Sequence, residues 1–142
     1  MEYDKKFTFT KLKIAKCQLE KAIQLFLEES DFVCSVTLAG ASEEILGKLL
    51  ETEGKTPELK ECAKKCEEDA EDIVDANYKV KDFVSISNYF RNGFKHYNEG
   101  GSMVFSGWIA VEMLNRAITN YFRLTGSETE LMKKFNWEVN GV

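Results

Sequence analysis

Lys11-Leu12-Lys13-Ile14-Ala15-Lys16-Cys17-Gln18-Leu19-Glu20-Lys21-Ala22-Ile23-Gln24-Leu25-Phe26-Leu27 is the stretch that decides the fold. Leu12, Ala15, Leu19, Ala22 and Phe26 recur at alternating steps of three and four, and Ile23 and Leu27 widen the stripe. That is the period of a helix with one buried face. The spacing predicts a helix over 10–28, with Thr8 or Thr10 as its cap.

The same period continues outward. A second helix is predicted over 31–51, with Asp31 as cap and Val36, Ala39, Ile45, Leu46, Leu49 and Leu50 facing inward, and Gly54 suits its end. Its first half is rich in small residues: Cys34, Ser35, Thr37, Ala39, Gly40, Ala41 and Ser42. Small side chains let two helix axes approach at the short end of the usual range, about 8 to 10 Å. Thr56-Pro57-Glu58 reads as a cap followed by proline at a helix start, opening a more polar third helix. Its narrow seam is Leu59, Cys62, Ala63, Cys66 and Ala70, leading to Ile73 and Val74, and Glu67, Glu68, Asp69, Glu71 and Asp72 form a solvated face.

Val80, Phe83, Ser87, Phe90, Phe94 and Tyr97 predict a fourth helix over 80–97. Asn98-Glu99-Gly100-Gly101-Ser102 is a turn by composition. A fifth helix is predicted over 103–124, with Phe105, Trp108, Ile109, Leu114, Ala117, Ile118, Tyr121 and Phe122 as core, closed by Gly126. Ser127 to Val142 holds a short amphipathic turn or two with Leu131, Met132, Phe135 and Trp137, expected to fold back on the bundle. Sustained period-two alternation is absent. The reading is an all-α, antiparallel up-and-down bundle of about five helices plus a short C-terminal helical tail, a single domain over 1–142.

At 142 residues the chain is long enough to bury a continuous core without disulfides or a structural metal. A single proline, Pro57, leaves long stretches free to be helical. The sequence has no apolar run long enough to span a bilayer, and Met1-Glu2-Tyr3-Asp4-Lys5-Lys6 is not followed by the apolar core of a signal peptide. A cytoplasmic location is expected, with the four cysteines, Cys17, Cys34, Cys62 and Cys66, as reduced thiols. A formal net charge of −5 argues against coating a nucleic-acid duplex broadly. Charge is uneven, however: Glu58 to Asp75 is acidic, whereas Lys79, Lys81, Arg91 and Lys95 cluster further on. An anion is expected there, or near Arg116 and Arg123.

The concentrated chemistry lies in Arg91-Asn92-Gly93-Phe94-Lys95-His96. His96 is the chain's only histidine, which excludes most multi-histidine metal sites and any catalytic scheme needing two histidines from one subunit. On a regular helix Asn88, Asn92 and His96 share a face, and Arg91 and Lys95 share the neighbouring one. Arg91 and His96 then lie about 140° apart, converging only if the helix tightens or ends near Gly93, or if the arginine reaches around. Gly93 allows close approach of another backbone. Arginine supplies a fork for phosphate oxygens, lysine a point charge, asparagine a neutral donor and histidine a group with a reference pKa of about 6.5 that can move a proton. The other reading is a helix end where cations favour the dipole and histidine bonds a last-turn carbonyl.

Arg91, the polar Asn92, three further residues and then His96, at the end of an amphipathic helix, resemble the Arg-polar-x-x-x-His signature of the HEPN superfamily. Phe90-Arg91-Asn92-Gly93-Phe94-Lys95-His96 looks like the form in small prokaryotic members, and the likeness runs loosely from Lys11 to Gly126, through Leu38-Ala39-Gly40-Ala41-Ser42-Glu43-Glu44-Ile45-Leu46. The resemblance implies a helical bundle that dimerises with the two motifs facing each other. It often implies a metal-independent endoribonuclease of toxin–antitoxin or defence systems, with an antitoxin partner and no cofactor. Arg91 would then bind and polarise the scissile phosphate, His96 would transfer protons and Asn92 would orient one of them. Lys95 joins as a phosphate-binding residue on its charge and position. Attack of the ribose 2′-hydroxyl on the adjacent phosphate would leave a cyclic phosphate and a free 5′-hydroxyl. Such a transfer benefits from both a base and an acid, and a symmetric pair of chains would bring two histidines. The expectation is thus a homodimer that binds RNA or a nucleotide phosphate through Arg91, Asn92, Lys95 and His96, as a ribonuclease or as a binder without cleavage. The alternative is a non-enzymatic helical interaction module whose acidic third helix meets a basic partner.

Other constellations point to structure. Cys62 and Cys66 are four apart on a helix and lack a second pair for zinc, so core packing is expected. Phe90, Phe94, Tyr97, Trp108, Tyr121 and Phe122 are expected in the core, with Tyr78, Tyr89 and Tyr97 as exceptions available to stack a base. Glu43-Glu44 and Glu67-Glu68 are adjacent, so each pair points to different faces and makes no acid–base couple.

Overall fold

The computed structural model describes residues 2–73, 80–96 and 101–142, and the side chains of all of these but 70–73 and 80–83. The readings made for the side chains of Ala70, Glu71, Asp72, Ile73, Val80, Lys81 and Phe83 lie outside the described side chains, and those for Val74, Tyr78, Lys79, Tyr97 and the turn at 98–100 lie outside the described residues. Helix α1 spans Lys11–Glu29 and α2 spans Phe32–Thr52. Thr10 caps α1 by accepting the Lys13 N–H at 3.1 Å, and Asp31 caps α2 by accepting from Cys34 at 3.0 Å. Ser30 between them takes the left-handed conformation, φ 51°, and donates its N–H to the Leu25 carbonyl. So short a link folds α2 back against α1.

The small residues of α2 face that contact. Ser35 Oγ donates to the Ala22 carbonyl at 2.9 Å and Ser42 Oγ to that of Ala15 at 2.7 Å, and both hydroxyls are fully buried. A buried hydroxyl with a partner avoids the desolvation cost it would otherwise carry, and its small size keeps the helices close.

Helix α3 spans Glu58–Ile73, α4 Val80–Ser87, α5 Tyr89–Lys95, α6 Trp108–Thr125 and α7 Glu130–Phe135, followed by one π-helical turn over Asn136–Asn140. No strand occurs among the described residues, and the fold is an all-α bundle. Leu19 and Ile23 of α1, Ala39 and Leu46 of α2, Leu114 and Ala117 of α6, and Met132 and Phe135 of α7 share one core. The tail does fold back: Phe135 is wholly buried, its ring edge-on to Phe26 at 5.5 Å. Among the described residues no helix is long and apolar enough to cross a membrane.

Three helix readings need correction. The fourth helix is divided at Asn88, where the backbone opens to φ −99°, ψ 2° and the side chain turns inward. The fifth begins at Trp108 rather than 103, because the segment before it is anchored as a strap: Met103 covers Gly93, and Phe105 stands edge-on to Phe94 at 5.0 Å. The stripe of α6 is centred on Ala110, Leu114, Ala117 and Tyr121. Trp108 lies about 200° round from Ala110 and Phe122 about 100° past Tyr121 on an ideal helix. They are accordingly 69% and 49% exposed, not core, and Phe105 is exposed as well. Gly126 closes α6 as predicted, at φ 77°.

Helix α3 stands beside this core and is pinned at its start. Asn120, fully buried on α6, accepts the Glu58 N–H through Oδ1 at 2.9 Å, satisfying one of the donors that every helix start leaves open. Arg123 pairs with Glu58 and, at 2.8 Å, with Glu61, and donates to the Thr56 carbonyl at 3.2 Å. None of the four cysteines forms a disulfide.

Candidate functional site

Helix α5 carries the motif, and its position follows from two contacts. The Phe90 and Phe94 rings, one turn apart, pack at 6.3 Å and hold the helix against the strap through Phe105. On its other side Arg91 lies across Gly40 of α2, where a Cβ would fall 2.5 Å from Arg91 Cδ and 2.6 Å from Cγ. The glycine makes room for the arginine stem.

Arg91 thus runs inward. Its side chain is only 18% exposed, and Nη1 meets Glu43 Oε2 at 3.4 Å. Glu43 is itself nearly buried, at 4%, and its other oxygen lies 3.9 Å from Arg116 Nε. Burial pushes the Glu43 carboxyl above its ordinary value, against the pull of Arg116 and Arg91. Burial likewise lowers Arg116, against the attraction of Glu43. Arg116 Nη2 donates to Asn88 Oδ1 at 3.1 Å and to the Met113 sulfur at 3.1 Å, while its buried Nε has no hydrogen-bond acceptor. One carboxylate therefore serves two guanidiniums, neither at short range.

Arg91, Arg116 and Met113 line a cleft of about 480 Å³ bounded by α2, α3, α4, α5 and α6. Val36, Ile86, Phe90, Ile109 and Met113 give it apolar walls, and Glu58, Glu112, Asn115 and Thr119 are its polar lining. Cys62 also lines it, donating Sγ–H to Glu58 Oε1 at 3.1 Å. Desolvation and that neighbouring carboxylate push its thiol up to about 11, so it stays protonated at neutral pH. Cys66 is half-buried, and no cluster of metal-ligating side chains exists among the described residues.

The remaining motif residues lie elsewhere. Asn92, Lys95 and His96 are exposed and are not among the cleft's lining residues. None of their side chains makes a hydrogen bond or ion pair with another described residue. His96 ends α5 in extended conformation, φ −121°, ψ 143°, its N–H bonded to the Asn92 carbonyl at 2.9 Å. The face predicted for Asn88, Asn92 and His96 is not shared, since Asn88 is buried against Arg116. Gly93 is approached by the Met103 side chain rather than by a backbone. Within one chain, then, Arg91 is turned into the bundle, and His96 is exposed at the helix end with no side-chain partner among the described residues.

Glu43 escaped the sequence reading as a partner of Arg91. The signal was present: Ala39, Glu43, Leu46 and Leu50 fall at steps of four, three and four, so Glu43 sits on the buried stripe while Glu44 faces solvent beside Lys48 at 3.4 Å. A carboxylate on such a stripe implies a buried cation opposite. Asn120 and Arg116 of α6 carry the same signal.

Compared with models of known families, with curated proteins and with solved structures, the chain matches none.

Proposed function

We propose that the chain is a HEPN-like, metal-independent endoribonuclease that works as a homodimer, with Arg91, Asn92, Lys95 and His96 as its RNA-contacting residues. The observation that carries this is the division of labour on α5. Arg91 is held in a fixed position by Gly40 and Glu43, while His96, Lys95 and Asn92 stand at the exposed end of the same helix without partners of their own among the described residues. A phosphate ligand benefits from preorganisation, and a proton-transferring group needs access to the substrate.

In this reading Arg91 binds the scissile phosphate and Lys95 adds charge beside it. Asn92 orients the phosphate or the imidazole. One histidine removes the 2′-hydroxyl proton as it attacks phosphorus, and the histidine of the second subunit protonates the departing 5′-oxygen. Because a single chain turns Arg91 and His96 in different directions, the second copy is what completes the site.

A second reading, a non-enzymatic interaction module with an antitoxin or another protein as partner, is favoured by two observations. Arg91 already has a carboxylate partner, and Tyr89, two residues before it, is 59% exposed. Incubation of a mixed RNA pool with wild type, Arg91→Ala and His96→Ala separates the two. The nuclease reading expects cleavage by wild type and a loss of about 100-fold or more in each variant, in proteins that self-associate alike. A clean wild-type dimer that leaves the pool intact supports the module.

A further inference from the structure

Helix α1 carries opposite charge at its two ends. From Lys5 to Leu19 the chain has five lysines, Lys5, Lys6, Lys11, Lys13 and Lys16, and no carboxylate, whereas the far end of α1 and the turn into α2 bear Glu28, Glu29 and Asp31. Two exposed apolar features follow the same division. Ahead of α1, residues 2–9 form an arm that no hydrogen bond joins to the bundle among the described residues. Its Phe7 and Phe9 rings lie 5.9 Å apart and are 68% and 49% exposed. At the other end Phe26, Phe32, Trp108, Val111 and Val139 line an open groove of about 460 Å³. We propose that this groove receives the Phe7–Phe9 arm of a second copy of the chain, the two copies exchanging arms about a two-fold axis.

Reach excludes the arm of the same chain. From Lys11 to Phe26 the helix advances about 22 Å at roughly 1.5 Å per residue. From Lys11 the chain extends back at most about 14 Å to Phe7 and 7 Å to Phe9. The pair of rings therefore cannot enter its own groove together, although the two surfaces match in character. Exposed apolar rings beside an exposed apolar groove are what a contact between copies covers.

Charge sets the orientation. Lys5 stands over the Phe7 ring, 5.4 Å from its centre, and Lys13 over that of Phe9 at 5.8 Å, so ammonium groups border the pair. Phe26 and Phe32 flank a turn on which Glu28 and Glu29 are exposed, neither in an ion pair among the described residues. Glu138 adds a carboxylate to the groove lining, 3.9 Å from Lys134 and too far for a hydrogen bond. With α1 reversed in the second copy, each basic arm meets an acidic turn, and both contacts form at once. Two arms and the groove surfaces beneath them cover on the order of 1,000 Å², enough for a specific interface. The inference shares only the second copy with the proposed function, and does not depend on RNA being cut.

Sedimentation equilibrium at low salt tests the exchange, with urea midpoints to check that each variant folds. Every substitution falls on an exposed side chain. Phe7→Ser/Phe9→Ser, Lys5→Glu/Lys6→Glu and Glu28→Lys/Glu29→Lys are each expected to weaken self-association by about tenfold or more. Mixing the two charge variants should restore it, because arm and turn then attract across both contacts of the mixed pair. Self-association unchanged by the phenylalanine variant, or a mixture that associates no more tightly than its parts, overturns the proposal. A wild type that stays monomeric also overturns it and leaves the groove to a different partner. RNA cleavage that survives such a failure leaves the nuclease reading standing on another interface. Arm exchange in a chain that cuts no RNA retains the contact and discards the nuclease.

Discussion

Replacing Glu43 by glutamine would separate the two things its carboxylate does: it holds Arg91 in place, and it carries a charge that burial disfavours. Because burial raises the folded-state value, the folded chain keeps the proton over a pH range in which the unfolded chain has released it. The stability tied to that proton is present below the ordinary carboxylate value and is lost as pH rises through the raised one. Melting temperatures across pH about 4 to 8 should therefore show wild type losing ground to Glu43→Gln as pH increases, with the difference levelling above the raised value. The opposite slope would mean that the two arginines outweigh burial. At this scale sequence reasoning located Arg91, Asn92, Lys95 and His96 as residue types suited to phosphate chemistry. It missed Glu43, whose partners come from α5 and α6 and are far away in the chain.

Two glycines set the position of α5, and they respond oppositely to the same change. Alanine at Gly40 places a methyl group 2.5 Å from the Arg91 stem, close to the backbone where the side chain has little freedom. Gly40→Ala should cost about 1–3 kcal/mol by overpacking and displace Arg91 from Glu43. Alanine at Gly93 meets only the Met103 sulfur and methyl, the far end of a flexible side chain that can move aside. Helix propensity then favours Gly93→Ala by roughly 0.5–1 kcal/mol. Urea denaturation of both variants checks the pair, and equal destabilisation would contradict this account of how α5 is seated. Helices α1 and α2, with their caps Thr10 and Asp31, were legible because apolar period and capping residue agree. The break at Asn88 was not, because it depends on Arg116 drawing the Asn88 amide inward, a tertiary contact across 28 residues. The late start of α6 was hidden for a similar reason, since Met103 and Phe105 fit a helical period but pack on α5 instead.

Over the whole molecule the surplus of acidic residues restricts how RNA would approach under the proposed function. With a net charge of −5, the attraction would have to come from the α5 strip, not from a general field. Counterion release by Arg91 and Lys95 alone predicts a shallow salt dependence, with log K falling by about 1.4 per subunit per tenfold increase in salt. A filter-binding series over salt concentration checks this, and a slope several times steeper would place the RNA elsewhere on the surface. The all-α architecture was readable from apolar period throughout. The relation of Arg91 to His96 was not, because it depends on how α5 ends and, under the proposed function, on a second copy of the chain. That relation is the centre of the account, and end-group analysis of RNA digested in EDTA tests it most directly. The account predicts cyclic-phosphate and 5′-hydroxyl ends from wild type at concentrations that maintain the dimer, and none from His96→Ala. Ends bearing a 3′-hydroxyl, or activity that disappears when divalent metal is chelated, would contradict it.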